Sequence, residues 1–329
     1  MTDASTPTQT TTPTAVRPSS DTAPRPGSRA TGGTGGTGPA GRRPAAVRPR
    51  GRRARARVGS VLKHVGLIAF GFVMLYPLLW MLASSFKPNA LIFREPGLIP
   101  TDIDLSNYTD GWNALLHPFS HYLINSALVV LGSLLGNLLS CSLAAYAFAR
   151  LEFRGKRLWF AIMLMSIMLP IHVVIVPQYV LFSQLEWINT FLPLIVPKLL
   201  ATDAFFIFLM VQFFRGIPRE LDEAATLDGC NHLRIYLQIM LPLSMPALAT
   251  TAIFTFIWTW NDFFSQLIFL TRPEMYTVPI ALRTFVDSTG ESSWGSLFAM
   301  SIVSLIPVFI AFLFGQKYLV KGIATTGIK

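Results

Sequence analysis

The sequence predicts an all-α integral membrane protein with about six transmembrane helices, from three observations: an apolar excess, six long apolar runs, and a net charge confined to one end. The chain has 329 residues, 52% of them hydrophobic and 13% charged, with a mean hydropathy of +0.49. A soluble domain of this size has no interior large enough to hide so much apolar surface, so the expected medium is lipid. A formal charge of +10 would suggest a nucleic-acid partner if it covered a folded surface. Instead, residues 1–64 hold twelve Lys and Arg against Asp3 and Asp21, and the remainder balances fifteen basic residues with fifteen acidic ones. The membrane body is neutral, and no nucleic-acid partner is expected.

Residues 1–57 form a basic tail rich in Thr, Pro, Gly, Ala and Arg. With almost no large apolar side chains it cannot offset its ordering entropy, so disorder is expected. Its run Thr31-Gly32-Gly33-Thr34-Gly35-Gly36-Thr37-Gly38 is not followed by Gly-Lys-Ser/Thr, which argues against a phosphate loop. The basic cluster at 42–57 has two readings. It can bind anionic lipid at about 1 kcal/mol per nearby basic residue, or it can serve only to fix topology, which is preferred. A cleaved leader is a further option for such a stretch, but the apolar run after Lys63 is too long for a signal core and reads as the first span.

Crossing the hydrocarbon core as a helix takes about 20 apolar residues. Residues 65–86, 122–149, 158–182 and 292–316 contain no Asp, Glu, Lys or Arg. Residues 187–214 contain Lys198 and Asp203, and residues 241–270 contain only Asp262. None of the six alternates polar and apolar residues as a barrel strand would, which leaves helices to satisfy the backbone in lipid. Basic residues are retained on the cytoplasmic side. They cluster in the tail, in the second connection (Arg150, Arg154, Lys156, Arg157), in the fourth (Arg215, Arg219, Arg234) and at the C-terminus (Lys317, Lys321, Lys329). The alternate connections hold fewer: Lys87 and Arg94, none, then Arg272 and Arg283. Both termini are therefore expected in the cytoplasm. Pro77, Pro170, Pro177, Pro193, Pro197, Pro242, Pro246 and Pro307 interrupt the spans, each freeing a carbonyl and permitting a kink. No internal repeat of the kind found in many secondary transporters is visible.

The fourth connection, residues 215–245, has the punctuation of a short surface helix. Pro218 suits a first turn, Glu220, Asp222 and Glu223 put negative charge at the positive end of the helix dipole, and Gly229 suits a left-handed cap. Ala224 and Ala225 leave an open surface for another protein, and a second helix from about Asn231 leads into the fifth span.

This segment closely resembles the cytoplasmic loop of binding-protein-dependent ABC importer permeases. Glu223-Ala224-Ala225, Asp228-Gly229, Leu241-Pro242-Leu243 and Pro246 stand at the family's spacing, with Cys230 where Ala is usual. The resemblance covers the chain from about residue 60 onward. It implies a transmembrane domain over 58–329 and a coupling helix that sits in a cleft of an ATP-hydrolysing subunit. Glu223, Ala224, Ala225, Asp228 and Gly229 would touch that subunit or shape the contacting turn. The C-terminal tail, 317–329, is similar to that of maltose-type, carbohydrate-importing permeases, which implies that Gly322, Thr325, Thr326 and Gly327 enter the ATPase interface.

The same resemblance implies that the chain forms half of the pathway for a sugar, a di- or oligosaccharide, in a bacterial cytoplasmic membrane. The implied partners are a second permease in a heterodimer, two ATPase subunits and an extracytoplasmic sugar-binding protein. ATP and magnesium belong to the ATPase, and no cofactor, metal or catalytic residue is expected on this chain. Trp258, Asn261 and Asp262 have two readings. Asp262 lies about 30 Å along its helix from the cytoplasmic entry, so Trp258 and Trp260 suit an interfacial belt, the preferred reading. Alternatively, the aromatic and planar polar groups suit a sugar in the pathway. Lys198 and Asp203 are costly in lipid unless they are paired, snorkelling or facing water, and five residues apart they do not share a helical face, so the spacing does not imply a salt bridge between them. His172 reads as a packed residue, and His117 with His121 reads as a poor metal site because Pro118 separates them. A self-contained secondary transporter of a small polar solute is the alternative function. A membrane enzyme using Asp203, His172 and Asp262 ranks third, since no HExxH or GxSxG is present.

Overall fold

The computed structural model describes the backbone of residues 50–286 and 293–326 and the side chains of 60–286 and 293–317. The chain divides at Val61, and the packing described below is that of the second part, Leu62–Lys329. In order, the helices are α1 (Arg50–Ser84), α2 (Ser106–Asn113), α3 (Phe119–Arg150), α4 (Lys156–Ser166), α5 (Ile171–Gln184), α6 (Leu192–Leu199), α7 (Ala204–Arg215), α8 (Glu220–Leu227) and α9 (His232–Ile235). A π-helical turn (Tyr236–Met240) follows, then α10 (Leu241–Leu243), α11 (Met245–Trp260), α12 (Phe264–Phe269), a 3₁₀ turn (Pro273–Met275), α13 (Val278–Arg283) and α14 (Trp294–Thr326). Among the described residues every regular element is a helix, and the apolar helices make four to six spans, depending on whether each of two bent pairs counts as one.

Four spans are long and apolar: Ser60–Ser84, Phe119–Arg150 and Trp294–Lys317 as unbroken helices, and Leu192–Arg215 as α6 and α7 in line across a short non-helical break. The other two expected spans are bent, and the prolines explain where. Lys156–Ser166 and Ile171–Gln184 meet at 101° at Pro170, whose extended backbone (φ −64°, ψ 134°) and missing N–H end one helix and start another. His232–Leu243 and Met245–Trp260 meet at 77° around Ser244, between Pro242 and Pro246. The expected single run over 241–270 is thus corrected: its straight part stops at Trp260, and Phe264–Phe269 is a separate helix. At the other end, residues 1–49 lie outside the described residues, but the backbone is helical from Arg50, inside the stretch expected as tail. The Arg- and Ala-rich residues there are good helix formers, and extending an existing helix costs little.

α3 is the axis of the unit. It supplies Cys141, Ala145, Tyr146 and Ala149 to one apolar core with α7, Phe119, Tyr122 and Val130 to a second with α13 and α14, and Val129 to a third. Close approach is built in at Gly136, where a Cβ would sit 3.0 Å from the backbone of Lys198 and Leu199. A side chain there would lever α6 off α3. Lys87, counted above among the outer charges, is 1% exposed, and its Nζ donates to the carbonyls of Glu95 and Gly97 at 2.6 Å each. It staples the first connection.

Candidate functional site

α8 is the short surface helix expected from the sequence, with Glu220, Asp222 and Glu223 in its first turn. Pro218 lies just before it and not inside it, because the helix starts at Glu220. Its end is a Schellman cap: the Cys230 N–H donates to the Ala225 carbonyl (2.9 Å) and the Gly229 N–H to that of Thr226 (3.0 Å), with Gly229 at φ +79°. That left-handed conformation costs glycine little and other residues about 1–2 kcal/mol. The chain then re-enters a helix at Asn231, whose Oδ1 accepts the Arg234 N–H at 2.9 Å, an N-cap bond.

The two alanines divide the labour. Ala224 is exposed, but Ala225 is 7% exposed and packs into the core with Tyr146, Phe214, Ile235 and Tyr236. The expectation that both offer open surface is corrected for Ala225, because its position on the helix faces the protein's own bundle. The exposed side chains of this segment include Leu221, Glu223, Ala224, Asp228 and Leu227, the last 90% exposed. Leu227 is a large apolar side chain left open on a charged helix outside the long apolar spans.

Arg150, read from the sequence only as a topological charge, holds this helix in place. Its side chain is 4% exposed and its Nε lies 3.3 Å from Asp222 Oδ2. Its Nη2 donates to the carbonyls of Phe214 (2.8 Å) and Ile217 (2.6 Å). No motif signalled this, because its three partners come from two other segments. Outside the spans, Lys156 bonds Glu152 (3.0 Å) and holds that carboxyl below its ordinary range.

Within the membrane body, Lys198 and Asp203 pair, with Nζ 2.8 Å from Oδ2, a contact that their spacing did not imply. Helical spacing holds only within one continuous helix. Here α6 stops at Leu199, Ala201 takes φ +55°, and the non-helical residues before α7 bring Asp203 within reach of Lys198. Asn137 of α3, fully buried, donates to Asp203 Oδ2 (2.6 Å) and to Thr255 Oγ1 (3.2 Å). The ion pair is only partly enclosed, at 31% and 24% exposure, and both members line a cleft of about 790 Å³ that also contains Asp262 and Ser265. An adjoining cleft of about 600 Å³ shares Lys198 and Asp262 and adds Trp258, Asn261 and Gln266.

Trp258, Asn261 and Asp262 are therefore brought together with Lys198. Trp258 leans on Phe205, Phe206 and Phe254 and is half exposed. Asn261 Nδ2 donates to the Ile257 carbonyl (2.8 Å), and Asp262 Oδ1 accepts the Ser265 N–H (3.1 Å). The belt reading fails for Trp260, which is 5% exposed and stacks on Phe256 at 5.7 Å; it is core. His172 is not enclosed but exposed, with its ring 4.8 Å from that of Phe264. The rings of His117 and His121 lie 4.5 Å apart, and His121 Nε2 meets the Glu274 carbonyl at 2.7 Å; among the described residues no third metal-type ligand joins them. Of the tail residues, 322, 325 and 326 lie in the helical backbone of α14, and Gly327 lies outside the described residues.

A broken-helix membrane bundle with a capped surface helix between two spans is the build of an importer permease. Residues 136–325 match the family described as binding-protein-dependent transport system inner membrane component, and the chain belongs to that family. The probable ABC transporter permease YurM of Bacillus subtilis is 35% identical over 84% of this chain and 91% of its own. The trehalose/maltose transport system permease MalG of Thermococcus litoralis is 33% identical over 82% and 96%, and the arabinooligosaccharides transport system permease AraQ of Halalkalibacterium halodurans 30% identical over 84% and 99%. Among solved structures, a bacterial ABC transporter involved in importing the acidic polysaccharide alginate matches with a TM-score of 0.69 and 25% identity, over 84% of this chain and 100% of that one.

Proposed function

We propose that this chain is one of two permease subunits of an ATP-driven importer and forms half of the pathway for an oligosaccharide. In this reading both termini face the cytoplasm, and α8 docks on an ATPase subunit that binds ATP and magnesium. A second permease completes the pathway, a second ATPase subunit completes the motor, and an external binding protein delivers the sugar. The relatives that import trehalose or maltose and arabinooligosaccharides support the substrate class. The observation that carries the reading is the outward face of α8, where Leu227 stands 90% exposed beside Glu223, Ala224, Asp228 and Gly229 on a helix fixed to the bundle from behind.

On the cleft side, Trp258, Asn261, Asp262 and Lys198 suit sugar hydroxyls and ring faces, so they are assigned to the pathway. α14, at 33 residues, is about 50 Å long against a hydrocarbon core of about 30 Å. Its spare length supports an ATPase-interface role for Gly322, Thr325, Thr326 and Gly327. The test is co-purification of the detergent-solubilised chain from its host, comparing wild type with Gly229→Asp. That variant strains the cap and places a negative charge at the unfavourable end of the helix dipole. An ATP-binding chain should accompany the wild type and be lost from the variant. A folded wild type that consistently comes alone would favour the self-contained secondary transporter.

A further inference from the structure

We propose that Arg150 is the strut through which displacement of α8 reaches the pathway cleft, a positioning residue whose role rests on the coupling reading above. α8 meets the bundle through Ala225 on one side, while a cleft of about 440 Å³, lined by Tyr146, Arg150, Asp222, Glu223, Thr226 and His232 among others, opens beside it. Its attachment is therefore narrow, and the ionic contact from Arg150 to Asp222 (3.3 Å) is a large part of it. The same guanidinium holds the carbonyls of Phe214 and Ile217 at the end of α7. One enclosed cation thus joins the end of α3, the end of α7 and the first turn of α8. Only a planar fork with several donors does this; a lysine ammonium is a point charge on a flexible stem.

The other end of the α3 and α7 pair is tied as well. From Arg150, α3 runs back about 20 Å to Asn137, which donates to Asp203 at the start of α7 (2.6 Å), and Asp203 pairs with Lys198 in the cleft. Between the two polar ties, Cys141, Ala145, Tyr146 and Ala149 pack against Phe206, Ile207, Met210 and Phe214 in one buried core. Two helices locked at both ends and packed between move as a rigid body. A push on α8 delivered through Arg150 therefore shifts Asp203 and Lys198 at the cleft.

The test uses the whole complex with its ATPase subunits in lipid, with Cys230→Ala and Asn261→Cys, so that the cleft carries an exposed thiol while Cys141 stays buried. The labelling rate with a water-soluble maleimide is compared without nucleotide and with ATP plus vanadate. We expect nucleotide to change the rate several-fold in the Arg150 background. Arg150→Gln should abolish the change and Asp222→Asn should shrink it at least threefold, with the ATPase still bound in both. A full nucleotide response in an assembled Arg150→Gln complex overturns the proposal. If that variant does not accumulate, Asp222→Asn decides, since it keeps both carbonyl bonds, and an undiminished response in it overturns the proposal equally. Failure of the parent chain to hold any ATPase would refute the coupling reading instead, which separates the two.

Discussion

At the scale of single residues, the charged groups inside the membrane body have partners that sequence spacing conceals. Lys198 and Asp203 meet because Ala201 adopts a left-handed conformation between two helices, and helix periodicity has no term for that. Asn137, in the middle of an apolar run, is the donor that completes the site. Its loss should leave Asp203 short of a bond in a low-dielectric setting. A neutral hydrogen bond between membrane helices is worth about 0.6 kcal/mol on average, and one to a charged acceptor about 1.5–3 in soluble proteins. Asn137→Ala should therefore cost about 1–2 kcal/mol of unfolding free energy in detergent, and a cost below a few tenths would show that Asp203 relies on Lys198 alone. Gly229, in contrast, was readable as a cap from sequence, because glycine after a short acidic-headed helix has a specific backbone meaning.

At the scale of elements, the chain's apolar runs located the spans, but the bends were only half legible. Prolines marked where the third and fifth spans could kink, yet the angles of 101° and 77° are set by tertiary packing that no local pattern records. α8 shows a related limit. Its existence and ends followed from Glu220, Asp222, Glu223 and Gly229, while the division between Ala224 and Ala225 required knowing which side α3 occupies. That division is testable. Ala225→Leu should overpack the core around Tyr146 and Phe214 at a cost of about 1–3 kcal/mol and lower the thermal stability of the isolated chain. Ala224→Leu should leave stability unchanged and weaken retention of the ATPase. Equal effects of the two on stability would contradict the assigned faces.

At the scale of the whole molecule, the membrane body joins two sites that the sequence presented separately. One is a capped helix with an exposed leucine, and the other is a pair of adjoining clefts that share Lys198 and Asp262, one adding Trp258 and Asn261 and the other Asp203. The motif around Glu223 and Gly229 was enough to identify the family. The connection between the sites was not readable, because Arg150 and Asn137 lie on a helix whose motif content is nil and whose importance comes from its central packing. A cross-link tests most directly whether α8 presents its outward face to an ATP-hydrolysing partner. With Cys230→Ala and Leu227→Cys, a short thiol-to-amine cross-linker is applied to native membranes and the adducts are identified by mass spectrometry. The predicted result is an adduct with an ATP-binding chain whose yield changes when ATP is added. A Leu227→Cys thiol that reacts freely with a soluble maleimide, yet forms no adduct with any ATP-binding chain, would contradict it.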